Sequence, residues 1–233
     1  AATAQKYANV DHVQLQTGGT SPLAGMDRHF RVFERPILNP SNAVWNDAIY
    51  DAAQARGVSV MLTGQMGNMS ISHDGTQLLS QLARVGALPA LFALMRQMRR
   101  RGHRWPGLAA QAFGPFMPPA MWLWLARKFD RALDLELYSA LKPAAFDGFA
   151  VGQRARERGL DLSYRPWADS RAMRLWVLRR VDLGVYNKGT LAAWGIDQRD
   201  PTADRRLIEL SLRIPERQFI LDGETRSLAR RAF

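Results

Sequence analysis

Residues 58–70 read Val-Ser-Val-Met-Leu-Thr-Gly-Gln-Met-Gly-Asn-Met-Ser, and this stretch decides the fold. Its first half, Val58–Leu62, is a short apolar run with β-branched residues, which is typical of a strand. Its second half, Thr63–Ser70, holds two glycines at the carboxyl end of that strand. In open parallel sheets ligands bind at this edge, where glycine lets backbone N–H groups approach a phosphate. The stretch therefore predicts a ligand loop, although the glycine spacing alone is equally compatible with a plain strand-to-helix turn.

The residues before the strand predict a helix that crosses over to it. Apolar residues recur at helical spacing after Pro40, Ser41 is the expected N-cap, and Gly57 ends the pattern. A helix, a glycine stop and a β-branched strand form an α/β crossover unit, so we expect the strand inside a parallel sheet. A second strand is predicted at His12–Gln16, as a neighbour or near neighbour of the first. The apolar positions of the predicted helix are Val44, Trp45, Ala48, Ile49 and Ala52.

The composition is that of a globular protein of 233 residues, with ordinary apolar and charged fractions. The most hydrophobic patch, Trp122–Ala126, is far shorter than the roughly 20 residues needed to cross a bilayer, so no membrane segment is predicted. The sequence has no cysteine, which excludes disulfides, thiolate metal sites and cysteine nucleophiles. The first ten residues lack the pattern of a signal peptide, and we expect a cytoplasmic protein.

A net charge of +11 requires an acidic partner or a compositional explanation. Arginines are concentrated at Arg96–Arg104 and again at Arg226–Arg231. Guanidinium groups pair well with phosphates and carboxylates, so these clusters suit a nucleic acid, an acidic peptide or a nucleotide. The alternative is an arginine-rich proteome whose helices carry solvated basic faces. No recognition helix, zinc finger or aromatic-basic ribonucleoprotein pattern occurs, which argues against a nucleic-acid partner, but a basic helical nucleic-acid-binding module stays open as a hypothesis.

From Thr76 onward the pattern is helical. Leucine and methionine stripes predict two helices separated at Pro89, and Arg101–Pro119, rich in glycine and proline, is interpreted as a loop. We place this border inside a single partial domain spanning 1–233, with an α/β layer at 1–75 and a mainly helical part at 76–233. Further helices are predicted at Pro119–Phe129, Asp169–Leu183 and Asp204–Leu212, and a helix is one interpretation of Asp130–Leu141.

Two separated stretches resemble the asparagine synthase family. Residues 60–69 are similar to the strand and loop of asparagine synthetases, in which an apolar strand precedes Ser/Thr-Gly-Glu-Gly-Ser-Asp-Glu. Residues 187–204 read Asn-Lys-Gly-Thr-Leu-Ala-Ala-Trp-Gly-Ile-Asp-Gln-Arg-Asp-Pro-Thr-Ala-Asp. They resemble the Asn-Lys and Ala-Trp-Gly-Val-Glu-x-Arg-x-Pro-Phe-Leu-Asp segments of the family. The similarity continues through Ile214-Pro215 and Asp222–Thr225 to Arg230.

The resemblance implies part of a parallel-sheet nucleotide-binding synthetase domain of the HUP, or adenine nucleotide alpha hydrolase-like, type. It also implies an ATP-dependent amide ligase. In this family a carboxylate attacks the α-phosphate of ATP with the help of Mg²⁺, and an amine then displaces AMP from the acyl-adenylate. The positions carried over are Thr63, Gly64, Gly67 and Asn68 for nucleotide binding, and Gln65 and Asp197 for catalysis.

The sequence departs from the family pattern within the loop. Gln65 stands where asparagine synthetases have a glutamate that helps to activate ammonia, and Asn68 stands where they have a magnesium-binding aspartate. An amide cannot act as a base, and it is a poorer magnesium ligand than a carboxylate. We therefore expect Asn68 to bond a phosphate and assign no metal ligand. Asp197 has a structural alternative, which is an ion pair with Arg199 or a turn cap.

Two segments expected of the family do not occur in these residues, namely the Ser-Gly-Gly-x-Asp-Ser pyrophosphate loop and the catalytic lysine segment. We interpret the chain as a fragment of a longer protein, in which a glutaminase domain would be usual for the family. Loss of the loop glutamate favours a divergent carboxylate substrate, a small molecule or a peptide like those that lasso-peptide macrolactam synthetases close. The alternative is a catalytically degenerate scaffold.

Overall fold

The computed structural model describes residues 6–35, 40–129 and 142–232. These residues form an α/β structure that divides into two compact units. The first unit is made of residues 1–66 and 180–204, and the second of residues 67–179 and 205–233. The prediction of an α/β protein with a large helical portion is confirmed, while the single-domain assignment stays a prediction.

The described elements follow one another as helices α1 to α12 and strands β1 to β4. In chain order they are α1 (Met26–Phe33), α2 (Pro40–Gln54), β1 (Val60–Leu62), α3 (Leu78–Arg84), α4 (Leu88–Arg100), α5 (Trp105–Phe113), α6 (Pro119–Lys128), α7 (Pro143–Gly148), α8 (Val151–Glu157), α9 (Ser170–Leu178), α10 (Leu183–Trp194), β2 (Asp197–Arg199), α11 (Arg205–Ser211), β3 (Ile220–Leu221), β4 (Glu224–Thr225) and α12 (Ser227–Ala232). None of the helices described is long and apolar enough to cross a membrane.

The first unit is built on a parallel strand pair. β1 lies beside β2, with Val60 opposite Asp197 and Leu62 opposite Arg199. The pair therefore joins the two stretches that resemble the asparagine synthase family. Within the described ranges β1 pairs with β2 alone, and Leu62 is 69% exposed, so the predicted interior position of this strand is not found there.

The helix before β1 is confirmed, with corrected details. α2 begins at Pro40, because proline suits the first helical position, so Ser41 lies inside the helix and its prediction as N-cap is wrong. Gly57 follows the helix with a φ of +70°, a backbone conformation that favours glycine. The predicted apolar stripe is partly wrong, since Trp45 and Ile49 are about half exposed while Tyr50 packs against the core.

The predicted strand at His12–Gln16 is wrong. These residues form no regular structure and are mostly exposed. A strand needs a neighbour to pair its backbone and a face to bury, and the described structure gives residues 12–16 neither. An alternating pattern without such a neighbour does not form a strand.

The core of the first unit lies where α1 packs against α10. Phe33, Trp194 and Ile196 are its buried members. A Cβ at position 189 would lie 2.3 Å from the Phe33 ring, so the close approach of the two helices requires Gly189. α10 begins after Asp182, whose carboxylate accepts the Val185 N–H at 3.5 Å, and it ends in a left-handed glycine, Gly195.

The second unit is mainly helical around one apolar cluster. The two helices predicted on either side of Pro89 are confirmed as α3 and α4, and they supply most of that cluster. A short antiparallel hairpin, β3 and β4, packs on α4. Its turn holds Gly223 at a φ of +73°, where a Cβ would lie 2.5 Å from the backbone of Gln97. The buried members of the cluster are Leu79, Leu91, Leu94, Met95, Met98, Leu108, Ala112 and Ile220.

The prediction of a loop at Arg101–Pro119 is wrong, because α5 and a short 3-10 helix (Gly114–Phe116) occupy most of it. Pro106 stands in the first turn of α5, where a missing N–H costs nothing, and Leu108 and Ala112 are buried one turn apart.

The other predicted helices are found as α6, α9 and α11. α9 is shorter than expected, since it ends at Leu178 and α10 begins at Leu183. The Asp169 carboxylate caps α9 by accepting the Ala172 N–H at 2.8 Å. The segment Asp130–Leu141 lies outside the described residues.

Candidate functional site

The carboxyl ends of β1 and β2 bring the glycine loop next to the segment that follows β2. The Thr63 N–H donates to the Arg199 carbonyl at 2.8 Å and extends the parallel ladder by one bond beyond the strands. At the other end, the Asp197 N–H donates to the Ser59 carbonyl at 2.8 Å. The predicted position of the loop, directly after the strand, is confirmed.

Asp200 holds the loop in place. Its Oδ2 accepts the Met66 N–H at 2.8 Å, while its Oδ1 accepts the backbone N–H of Thr202 at 2.8 Å and the Thr202 hydroxyl at 2.5 Å. Hydrogen bonds to a charged acceptor are stronger than neutral ones. Both oxygens of this carboxylate therefore serve the backbone conformation of residues 63–66 and of the turn after β2.

The loop leaves two consecutive backbone donors open. In the part of the chain that the structure describes, the N–H groups of Gly64 and Gln65 have no protein acceptor, and both residues are exposed. Successive N–H groups at the carboxyl end of a parallel strand are suited to an anionic oxygen, such as that of a phosphate or a carboxylate. A Cβ at position 64 would meet nothing within 4 Å, so the space beside this backbone is open.

The first unit contains a cavity of about 350 Å³ next to the loop. α1, α2 and α10 contribute its walls, and no carboxylate is among its lining residues. The polar lining is mainly neutral, made of amides and hydroxyls, with one guanidinium that pairs with Asp182 at 3.3 Å. The polar lining residues are His29, Arg35, Asn42, Asn46, Tyr50, Gln65, Tyr186, Thr190 and Gln198.

Hydrogen bonds within the walls fix several of these side chains. The buried Gln198 accepts the Tyr50 hydroxyl at 3.3 Å through its Oε1. Thr190, also buried, donates its hydroxyl to the Tyr186 carbonyl at 2.9 Å. His29 contacts the Asp47 carboxylate at 2.8 Å. Such a cavity can orient a polar group through amide oxygens and N–H donors, but it supplies no carboxylate base.

Asp197 does not line this cavity. Side chains alternate along β2, and the neighbouring Gln198 lines the cavity. The Asp197 carboxylate instead accepts a hydrogen bond from the Arg199 Nε at 2.8 Å and forms an ion pair with the Nη2 of the same guanidinium at 2.7 Å. The ion-pair alternative is therefore present in the structure, and the catalytic role of Asp197 stays a prediction.

Gly67 and Asn68 belong to the second unit, where Gly67–Met69 forms a 3-10 helix. The Gly67 carbonyl accepts the N–H groups of Ser70 and Ser72 at 3.1 and 2.9 Å, and Asn68 is exposed. Their role in nucleotide binding stays a prediction, as do those of Thr63 and Gly64.

The described residues contain no ready-made metal site, and the magnesium of the family stays a prediction. No group of three histidine, aspartate or glutamate side chains converges among them. Asp200 is the acidic side chain that touches the loop, and both of its oxygens already accept hydrogen bonds. No step is therefore assigned to a metal.

The second unit buries a polar cluster around His73. Glu216 and the Ser170 hydroxyl both contact the same nitrogen, His73 Nε2, at 2.8 and 3.0 Å. A nucleophilic triad needs the acid and the serine on opposite nitrogens, so this cluster is not one. Burial lowers the pKa of the nearby Arg174 guanidinium, and the charge of Glu216 acts in the opposite direction.

Sequence reasoning missed Asp200, Tyr50 and Gln198. Asp200 had a signal, since an aspartate directly before a proline favours a side-chain-bonded turn. Tyr50 and Gln198 had none, because only the parallel pairing of β2 with β1 brings Gln198 to the same wall as α2.

A parallel strand pair that ends in an open glycine loop, beside a polar cavity, is an α/β arrangement, and in such proteins ligands generally bind at the carboxyl edge of the strands. A family model described as asparagine synthase matches residues 1–233, so the chain belongs to the asparagine synthase family. No curated protein and no solved structure matches the chain. The resemblance seen in the two stretches is thereby confirmed. The family consists in general of ATP-using amide ligases, and membership implies ligase activity in that general sense.

Proposed function

We propose that the protein is an ATP-dependent amide ligase that activates a carboxylate as an acyl-adenylate. The observation that best supports this is the meeting of the two family-like stretches at the carboxyl ends of β1 and β2. There, Gly64 and Gln65 present open N–H groups beside a polar cavity. In this proposal the strand pair is one part of a larger nucleotide-binding sheet of the HUP type.

The reaction has two steps. A carboxylate oxygen attacks the α-phosphorus of ATP, the bond to the β-phosphate breaks, and pyrophosphate leaves. An amine then attacks the acyl carbon, and AMP departs with the oxygen that came from the carboxylate. The N–H groups of Gly64 and Gln65, with the Thr63 hydroxyl, would stabilise the phosphate charge, because fixed donors aimed at developing charge lower the barrier. The resemblance adds Gly67 and Asn68 to this proposal as further nucleotide-binding positions.

The Gln65 side chain lines the cavity and is proposed to orient the acceptor amine. Its Oε1 can accept a hydrogen bond from an amine N–H, but the amide cannot take the proton. Asp197, which is paired with Arg199, would act as the acidic group near the adenylate only when that ion pair opens.

The proposed partners follow from this chemistry. The substrate would be a small-molecule or peptide carboxylate, and a glutaminase domain in the same longer chain would be the usual nitrogen source for the family. Nucleic acid has no part in the proposed reaction.

A degenerate scaffold is the second candidate, and one observation favours it. Gln65, Asn68 and Met69 are neutral where the family loop carries acids. A protein with this loop could bind a nucleotide without turning it over.

The test is ATP–pyrophosphate exchange by the full-length protein, with Mg²⁺ and with aspartate, acidic peptides or no carboxylate. Exchange that depends on a carboxylate supports the ligase, and the carboxylate that works identifies the substrate class. ATP binding without exchange for any carboxylate supports the scaffold.

A matched pair of variants connects the assay to the loop. Gly64→Ala adds a methyl group in open space beside the two donors, so it should leave folding intact and reduce exchange by obstructing the ligand. Gly107→Ala adds the same methyl group in open space on α5 of the second unit and should leave exchange unchanged.

A further inference from the structure

α4 carries an exposed stripe that the packing among the described residues of the second unit does not use. Its buried face is formed by Leu91, Leu94, Met95 and Met98. On another side of the helix, Leu88, Phe92, Arg96 and Arg99 follow one another at spacings of three and four residues, with Arg100 beside them. All five are exposed, and Phe92 is 53% exposed although it is a large aromatic residue. These five residues are called the α4 stripe.

The α4 stripe is apolar in its first half and basic in its second. It covers about 18 Å of helix, at roughly 1.5 Å per residue. Arginines in the last turn of a helix also complement its dipole, which is a sufficient reason for Arg99 and Arg100. That reason does not account for Arg96, one turn earlier, or for the exposed Leu88 and Phe92.

The sequence on either side of the stripe carries positive charge only, whereas the hairpin that packs on α4 carries Asp222 and Glu224. Residues 75–129, which include α3 to α6, contain no aspartate or glutamate and eight arginines and lysines. In the described residues, no carboxylate pairs with Arg96, Arg99 or Arg100. Glu224 lies past the end of α4, where it pairs with Arg101 at 3.8 Å and Arg230 at 3.3 Å. The three stripe arginines are therefore open to an acidic partner.

We propose that the α4 stripe docks an acidic polypeptide segment that carries apolar side chains about two turns away from its carboxylates. Guanidinium groups pair bidentately with carboxylates, and the exposed Phe92 and Leu88 offer apolar contact area to the same segment. A nucleic acid fits less well, because the first two turns of α4 hold no cation to neutralise phosphates. The inference does not depend on the proposed ligase activity, since docking needs neither ATP nor turnover.

The test measures the fluorescence anisotropy of a labelled peptide as full-length protein is added without ATP. The peptide consists of Glu and Leu, and its Leu residues lie two helical turns from its Glu residues. Its Leu→Gln analogue and single-stranded and duplex DNA are the comparison probes. The stripe variant is Arg96→Gln with Arg99→Gln and Arg100→Gln. The matched control is Arg154→Gln with Arg158→Gln and Arg171→Gln, three exposed arginines of the same unit that remove the same charge. Circular dichroism verifies that every variant is folded.

We expect the stripe variant to bind the peptide about tenfold more weakly, because it loses three exposed ion pairs with the peptide, and the control to change the affinity by less than about twofold. Leu88→Gln with Phe92→Gln should weaken the Leu-containing peptide several-fold and leave its Gln analogue unaffected. Equal losses in the two arginine variants would show that only net charge matters and would overturn the proposal. So would tighter binding of DNA than of the peptide to the stripe, or no peptide binding by the unmodified protein.

Discussion

Removal of the Asp200 carboxylate should release the glycine loop. In Asp200→Ala, the carboxylate no longer accepts hydrogen bonds from the Met66 N–H and from the N–H and hydroxyl of Thr202, and Met66 is only 9% exposed. A hydrogen bond to a charged group contributes about 1.5 to 3 kcal/mol. Loss of the bond at Met66 alone should therefore speed local opening of the loop roughly 10- to 150-fold, at about 1.4 kcal/mol for each factor of ten.

The assay is amide hydrogen exchange of the full-length protein, resolved at Met66. Asp200→Asn should give an intermediate increase in exchange, because its amide keeps one acceptor oxygen and turns an NH₂ group toward the other donor. Thr202→Val is the control, since it removes the hydroxyl bond and leaves the bond from Met66 to Asp200 intact. Equal protection of the Met66 amide in Asp200→Ala and the unmodified protein would refute the assignment of Asp200 as the residue that holds the loop.

Three further predictions follow from the contacts described above. Gly189→Ala should lower the free energy of unfolding by about 1 to 2 kcal/mol in urea titrations, because its Cβ would overlap the Phe33 ring and overpacking outweighs the better helix propensity of alanine. Gly184→Ala on the same helix is the control, since its Cβ meets only ordinary contacts and the variant should be close to neutral. Equal losses of stability in the two variants would contradict this packing. If Gln65 orients the amine, Gln65→Ala should slow amide formation about tenfold and change the rate of pyrophosphate exchange by less than about twofold. Equal losses in the two assays would show that Gln65 contacts the nucleotide instead. For Asp161, burial would raise the pKa, but hydrogen bonds from Ser163 and the charge of Arg165 outweigh burial and hold it below its ordinary 3.8. A group whose pKa is lowered in the folded state stabilises the protein above about pH 4, and this stabilisation is lost as the pH falls through the folded-state pKa. Asp161→Asn should therefore lower the free energy of unfolding by about 0.5 kcal/mol near pH 7 and by almost nothing near pH 2. An equal cost at both pH values in denaturant titrations would show that the charge of Asp161 is not responsible.

The sequence predicted the elements whose residues carry a local signal. The β-branched run at Val58–Leu62 and the glycines after it placed a strand and a loop correctly, because strand propensity and turn chemistry agree there. The leucine and methionine stripes on either side of Pro89 were sufficient to predict α3 and α4, because their helical spacing agrees with the face that each helix buries. Where local preference and tertiary packing agree, a pattern is enough.

The failures occurred where distant contacts decide. The three residues of β2 are polar and have no strand pattern, so only their pairing with β1 makes them a strand. His12–Gln16 alternates like a strand but has no neighbour in the described structure. α5 forms in spite of Gly107 because Leu108 and Ala112 are buried against α3 and α4. At the site, the resemblance located Gln65 and Asp197, but the alternation of side chains along β2 sends Gln198, and not Asp197, to the cavity.

The most direct measurement of the central claim follows heavy oxygen from a labelled carboxylate through one round of amide formation by the full-length protein. The carboxylate is the one that best supports pyrophosphate exchange, and AMP, phosphate and amide are analysed by mass spectrometry. Activation as an acyl-adenylate predicts one labelled oxygen in AMP, because the carboxylate oxygen that attacks the α-phosphorus departs with it. Label in inorganic phosphate, with ADP as the other product, would contradict the proposed mechanism, and amide formation without label in any phosphate product would exclude carboxylate activation altogether.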